Sequence, residues 1–150
     1  MQGKKENTIM GFFIASVYDC GREAESVKER LTGEGMNKRQ LGGEYEKLAA
    51  EYLRAQGYDI LEQNYRCRSG EIDLIARDGE YLCFIEVKYR RGTTCGSPFE
   101  AVGLHKQMQI LKVARYYLMK KKLNLDTACR FDVVAIEGNE ITLLRNAFGE

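Results

Sequence analysis

Asp73, Glu86 and Lys88 are the residues whose types and spacing could do chemistry together. Asp78-Gly79 lies between them and is a two-residue hairpin signal flanked by strand-forming runs. A turn there pairs Arg77 with Glu80, sets Asp73 opposite Phe84 and makes Asp73 a diagonal neighbour of Glu86. Glu71, Asp73 and Ile75 then share a face with Leu82, Phe84, Glu86 and Lys88. Two carboxylates and an ammonium cluster beside large apolar residues. Clustered carboxylates repel unless a positive charge lies between them or one holds a proton. Oxygen ligands with little His or Cys nearby suit a hard cation, Mg²⁺ or Mn²⁺. Such an ion acidifies a bound water and polarises a phosphate oxygen. Lys88 is placed to orient or deprotonate that water, or to neutralise charge developing on phosphorus. The competing reading is a solvated strand end, with Asp73 merely salt-bridged.

Two helical positions bear on the choice. Leu41, Tyr45, Leu48, Ala49, Tyr52 and Leu53 recur at helical spacing. Glu44 borders that stripe and either faces the sheet or complements the helix dipole. Lys106 falls between Val102 and Ile110 at four-residue steps on the apolar face of a second helix. It needs an anion there, or it snorkels to the helix edge. Basic residues gather as Arg66 with Arg68, and as Lys88 with Arg90 and Arg91. Positive flanks around an acidic pocket suit a phosphodiester backbone, whereas Lys120–Lys122 reads as a solvated helix end.

The elements that must position these residues follow from periodicity and turn chemistry. A helix from Leu41 ends at Gly57, and strands are expected over Tyr58–Tyr65, Glu71–Arg77 and Glu80–Lys88. The last of these is nearly all apolar from Tyr81 to Ile85 and is expected to be central. Ser97-Pro98-Phe99-Glu100 forms a capping box that opens the second helix. Arg130–Glu137 and Glu140–Arg145 form a hairpin across Gly138-Asn139. The predicted class is α/β, in the order α-β-β-β-α-β-β.

The chain has 150 residues, 44% of them hydrophobic and 30% charged, which suits one folded domain over 36–150. No apolar run is long enough for a membrane helix. One His excludes a multi-His metal site, and five scattered Cys without a Cys-x-x-Cys pair exclude a zinc ribbon. The odd, scattered cysteines suit the reducing cytoplasm. Lys4-Lys5 before Ile9–Val17 imitates a signal peptide, but no cleavage site follows, so export is not expected. Residues 1–35 hold five basic and six acidic residues and form a poorly patterned extension. Gly33-Glu34-Gly35 before Met36 reads as a translated ribosome-binding site, making residues 1–35 a start-site artefact; the alternative is a genuine, poorly ordered extension. Formal net charge is +1, which taken alone argues against a polyanionic partner.

The ordered strings Asn64-Tyr65-Arg66, Gly70-Glu71-Ile72-Asp73-Leu74-Ile75-Ala76, Phe84-Ile85-Glu86-Val87-Lys88 and Arg130-Phe131-Asp132-Val133-Val134 resemble the bacterial YraN-like family. That family is similar to archaeal Holliday-junction resolvases, among the PD-(D/E)XK, restriction-endonuclease-like nucleases. The resemblance spans about residues 37–146 and implies a mixed β-sheet flanked by helices. It implies that Asp73 and Glu86 bind the metal, that Lys88 assists the water, and that Glu44 is the acidic residue of the first helix. Ile72 stands where the motif name has Pro. The expected function is a Mg²⁺-dependent nuclease on DNA, with branched or flapped structures among its substrates. Arg66, Arg68, Arg90, Arg91 and Lys106 would hold phosphates. A homodimer fits symmetric cutting of two strands. Alternatives are a non-catalytic nucleic-acid-binding adaptor and a protein-interaction domain.

Overall fold

The computed structural model describes residues 37–90 and 102–149. The extension over 1–35, the capping box over 97–100 and Arg91 lie outside the described residues. Helix α1 (Lys38–Ala55) starts three residues before the apolar periodicity does. Asn37 is the reason. Its side chain accepts from the Arg39 and Gln40 amides at 3.1 and 2.9 Å, and Gln40 Oε1 accepts from the Asn37 amide at 3.1 Å. Gln56 caps the other end, and Gly57 at φ +90° turns the chain into the sheet.

Strands β1 (Asp59–Cys67), β2 (Gly70–Asp78) and β3 (Tyr81–Arg90) form an antiparallel meander. Helix α2 (Leu104–Lys120) then crosses over to β4 (Cys129–Glu137), which lies parallel to β3. Strand β5 (Glu140–Leu144) folds back on β4 across Gly138-Asn139. The sheet order is β1-β2-β3-β4-β5, so the apolar β3 is central and the expected α-β-β-β-α-β-β order holds. No helix among the described residues is long and apolar enough to cross a membrane.

Two sequence expectations are corrected. The hairpin turn is Gly79-Glu80 rather than Asp78-Gly79: Asp78 pairs with Tyr81 and Arg77 with Leu82. Gly79, at φ +58°, takes the left-handed position that such a tight turn needs. A slip of two residues keeps the parity of the faces over the paired residues, Leu74–Asp78 with Tyr81–Ile85, but changes who stands opposite whom. The second correction concerns α2. It starts at Leu104 behind Gly103, which offers no side-chain cap, and Val102 is not helical. Lys106 therefore sits in the first turn of α2, not in the middle of its apolar face.

The sheet is covered on both sides. Tyr45, Leu48, Ala49 and Leu53 of α1 pack with Leu74, Ala76, Cys83, Ile85, Val134 and Ile136. Ile110, Val113, Tyr117 and Leu118 of α2 pack with Ile72, Ile75, Leu82, Phe84 and Val133 on the opposite face. Alternation along β3 and β4 assigns each residue its helix.

One charged residue is fully buried on the α1 side. Asp132 is 0% exposed. It accepts from Arg130 Nε at 2.9 Å, from the Asn146 amide at 2.9 Å and from the Tyr58 hydroxyl at 3.1 Å. Arg130 reaches on to Asp78 Oδ2 and to the Tyr58 oxygen, both at 2.6 Å. Burial pushes the Tyr58 hydroxyl up to about 12, so it stays protonated and donates. The network ties the end of β2, the start of β4 and the segment after β5 together. Truncating Arg130 leaves a buried carboxylate without its cation. Arg130→Ala is therefore expected to lower the unfolding free energy by about 3–5 kcal/mol, read as an earlier urea midpoint at unchanged m-value.

Candidate active site

Strands β2 and β3 pair from Asp78↔Tyr81 as far as Leu74↔Ile85. Continuing that register brings Asp73 opposite Glu86, nearer than the diagonal relation expected from sequence. Here the ladder is replaced by a side chain: Asp73 Oδ2 accepts the Val87 amide at 2.8 Å. On the other flank of β2, Gln63 pairs with Leu74 and Tyr65 with Ile72, and Asn64 between them stands at φ +55°. Asn tolerates this left-handed conformation better than most residues. Ile72 packs with Ile75 on the α2 side, while Leu74 packs on the α1 side. Strict alternation would put Ile72 with Leu74. Strand β2 thus turns over at Asp73, the kind of irregularity that re-aims a side chain beside a site.

Glu86 lies on the α2 face and is only 4% exposed. Lys88, two residues on along the same face, sets its Nζ 2.8 Å from Glu86 Oε1. Lys106 Nζ comes down from α2 to 3.1 Å from Oε2. That ammonium is close enough for an ion pair but is not aligned for a hydrogen bond, and Oε2 is buried without a hydrogen-bond partner. Burial first, and the Glu86 charge second, push the Asp73 carboxyl up to about 7, against the opposing pull of the Val87 amide and Lys106.

The structure thus brings together Asp73, Glu86, Lys88 and Lys106. It does not bring Glu44 to them: Glu44 pairs with Lys47 on its own helix at 2.6 Å. Glu46, half-buried and two residues on, is the α1 carboxylate whose charge reaches Asp73. Periodicity did not single it out, because it lies beside the buried Tyr45 rather than on the stripe. Arg66 lies at the end of β1 and pairs with Glu71 at 3.0 Å. Arg68 is exposed in the β1–β2 turn, and Arg90 ends β3 half-buried. The antiparallel order puts the start of β2 beside the end of β3, so these three arginines surround the carboxylate end of the sheet. Arg39 and Gln109 were not foreseen, yet with Arg66 and Lys106 they line one open cleft of about 520 Å³.

The donor set fits a hard divalent cation. It offers a buried carboxylate oxygen lacking a hydrogen bond and a second carboxyl raised by burial and then by the first. Among the described residues no group of three or more His, Cys, Asp or Glu converges. An ion here would rest on two carboxylates and take its other ligands from water or phosphate, which is the habit of Mg²⁺.

The family model described as "Uncharacterised protein family UPF0102" matches residues 45–136, a span that holds Asp73, Glu86, Lys88 and Lys106. The chain belongs to this family. A UPF0102 protein of Lachnoclostridium phytofermentans is 51% identical over 113 residues, covering 75% of this chain and 96% of its own. One of Syntrophus aciditrophicus is 54% identical over 107 residues, covering 69% and 84%. One of Klebsiella pneumoniae is 45% identical over 117 residues, covering 77% and 91%. The YraN-like resemblance of the motif strings is thereby shown at the level of UPF0102 membership, and the chemistry rests on the site.

The raised Asp73 carboxyl has a measurable consequence for this UPF0102 chain. Its folded value, about 7, exceeds the ordinary 3.8 of an unfolded chain. Stability from holding that proton is fully present below about pH 4 and is lost as pH rises through about 7. Asn keeps the shape and cannot ionise. Without metal, Asp73→Asn and the parent should melt together near pH 4, and the variant should melt a few degrees higher near pH 8. Thermal scans across pH check this.

Proposed function

We propose that this UPF0102 chain is a metal-dependent nuclease that hydrolyses DNA phosphodiester bonds. The observation that carries the reading is the buried Glu86 carboxylate, with Oε2 lacking a hydrogen bond, Asp73 next in register and Lys88 on its other oxygen. A purely structural carboxylate would be satisfied throughout, as Asp132 is. Asp73 and Glu86 are the residues that would hold Mg²⁺ or Mn²⁺. When bound, such an ion supplies a Lewis acid that acidifies water and polarises a phosphoryl oxygen.

The remaining roles belong to the chain itself. The Val87 amide fixes the Asp73 carboxylate through its 2.8 Å bond, so one ligand is oriented before anything binds. Lys88 is 36% exposed and can swing between Glu86 and an incoming water or phosphoryl oxygen. Its ammonium would orient that water and offset negative charge as the water oxygen bonds to phosphorus and the ester P–O bond breaks. The proton released by water ends on the departing oxygen. Arg66, Arg68 and Arg90 lie toward this end of the sheet as candidate phosphate contacts, with branched or flapped DNA as the substrate class the reading favours.

A panel of single-stranded, duplex, flap and four-way DNA with Mg²⁺ or Mn²⁺ tests the reading. Cleavage is expected to vanish with chelator and to fall by at least about 10²-fold in Asp73→Asn and in Lys88→Ala. Cleavage that persists in Asp73→Asn refutes the site. Salt-dependent DNA binding with no cleavage by the parent protein points instead to an adaptor, and absence of both points to a protein-interaction domain.

A further inference from the structure

The cleft beside the carboxylates has an unusual electrostatic build. Arg39 lies in the first turn of α1 and Lys106 in the first turn of α2, and neither first turn holds an acidic residue. Helix N-termini carry partial positive charge and ordinarily attract acids, so cations there are unfavourable by themselves. Both of these cations line the same cleft, together with Arg66 and the amide of Gln109. The floor is backbone: Gly70 stands at φ +139°, and a Cβ on it would lie 2.5 Å from Gln109 Nε2. Any side chain at Gly70 would push Gln109 out of place. Glu71 is the one acid of the lining, and its exposed pair with Arg66 is of the kind that contributes little. Three cations thus meet with one solvated acid between them.

Lys106 belongs to two sites at once. It lines the cleft, and its Nζ lies 3.1 Å from Glu86 Oε2, the oxygen without a hydrogen bond. Lys88 pairs with the same carboxylate at 2.8 Å but does not line the cleft. One ammonium cannot neutralise Glu86 and hold an anion in the cleft equally well.

We infer that this cleft is a seat for a backbone phosphate of the nucleic acid, and that Lys106 couples the seat to the metal site. The inference rests on the nuclease reading for the identity of the cation and of the anion. In the unliganded protein Lys106 serves as a stand-in cation on Glu86. A phosphate between Arg39, Arg66 and Gln109 draws the ammonium into the cleft and frees Oε2 for the metal. Linkage makes the effect reciprocal: metal on Glu86 turns Lys106 toward the cleft and tightens phosphate binding by the same factor. Lys106 is thus a positioning residue, and metal loads where substrate is present.

The experiment has two arms, both read as binding. In chelator, oligothymidylate binding is measured against salt. Arg39→Gln and Arg66→Gln are each expected to weaken it and to lower the slope of log K against log salt by about 0.7, the value for one single-strand phosphate. Oligothymidylate binding that both variants leave unchanged overturns the seat while the nuclease reading stands. In the second arm Mn²⁺ affinity is measured by calorimetry with and without inorganic sulfate, a tetrahedral anion that does not precipitate manganese. Sulfate should tighten Mn²⁺ about tenfold in the parent protein. Lys106→Gln should bind Mn²⁺ more tightly than the parent without sulfate and should lose the sulfate effect. Lys88→Gln should also bind Mn²⁺ more tightly but keep it. A sulfate effect of equal size in Lys106→Gln overturns the coupling, and failure of the parent protein to bind Mn²⁺ at all overturns the nuclease reading itself.

Discussion

Placing the Glu86 carboxylate inside the protein is the constraint to which the site answers. A carboxylate 4% exposed is costly to bury without partners, and the chain surrounds it with Lys88, Lys106 and Asp73. Each partner imposes a structural demand. Lys106 must approach from a helix on that face, which the crossover between β3 and β4 supplies. Asp73 must turn out of its strand, which costs β2 its alternation and sets Asn64 in a left-handed conformation. The β2–β3 ladder ends where those demands begin.

The opposite face shows what a carboxylate looks like when only structure is asked of it. Asp132 pairs in register with Ile85, one residue from Glu86, and points to the α1 side. Arg130, Tyr58 and the Asn146 amide engage its oxygens with good geometry. Two buried acids on adjacent rows of one sheet are therefore treated differently. One is closed by hydrogen bonds; the other has an oxygen held by an ion pair alone.

The fold was legible because β-branched runs, turn dipeptides and helical periodicity all point the same way along this chain. The same holds for the gathering of Asp73, Glu86 and Lys88, which depends on strand parity and survived a two-residue shift of register. What was not legible depends on contacts distant in sequence. The choice of Gly79-Glu80 over Asp78-Gly79 is settled by how the whole sheet packs. Glu44 and Glu46 differ by two positions on α1, and only the pitch of that helix against β3 decides which charge reaches Asp73. Arg39 lies before the first apolar residue of its helix, so no pattern marked it. It entered the helix through the Asn37–Gln40 capping box, a local signal that periodicity passes over.

Net charge bears on the partner in a way the total conceals. A formal +1 comes from 23 basic and 22 acidic residues, and an even spread of them would give a polyanion little to hold. The structure does not spread them evenly. It buries Glu86 between two ammonium groups, closes Asp132 with a guanidinium, and sets Arg39 and Arg66 around one cleft that Lys106 also reaches. Buried acids neutralised in place contribute little field at the surface, whereas cations on the rim of a cleft are felt by an anion that comes within a Debye length of about 8–10 Å. The potential that an approaching phosphate meets at the cleft is therefore set by the local cations and not by the total. Near-neutrality of this chain is compatible with a nucleic-acid partner because its acids and bases lie at different depths.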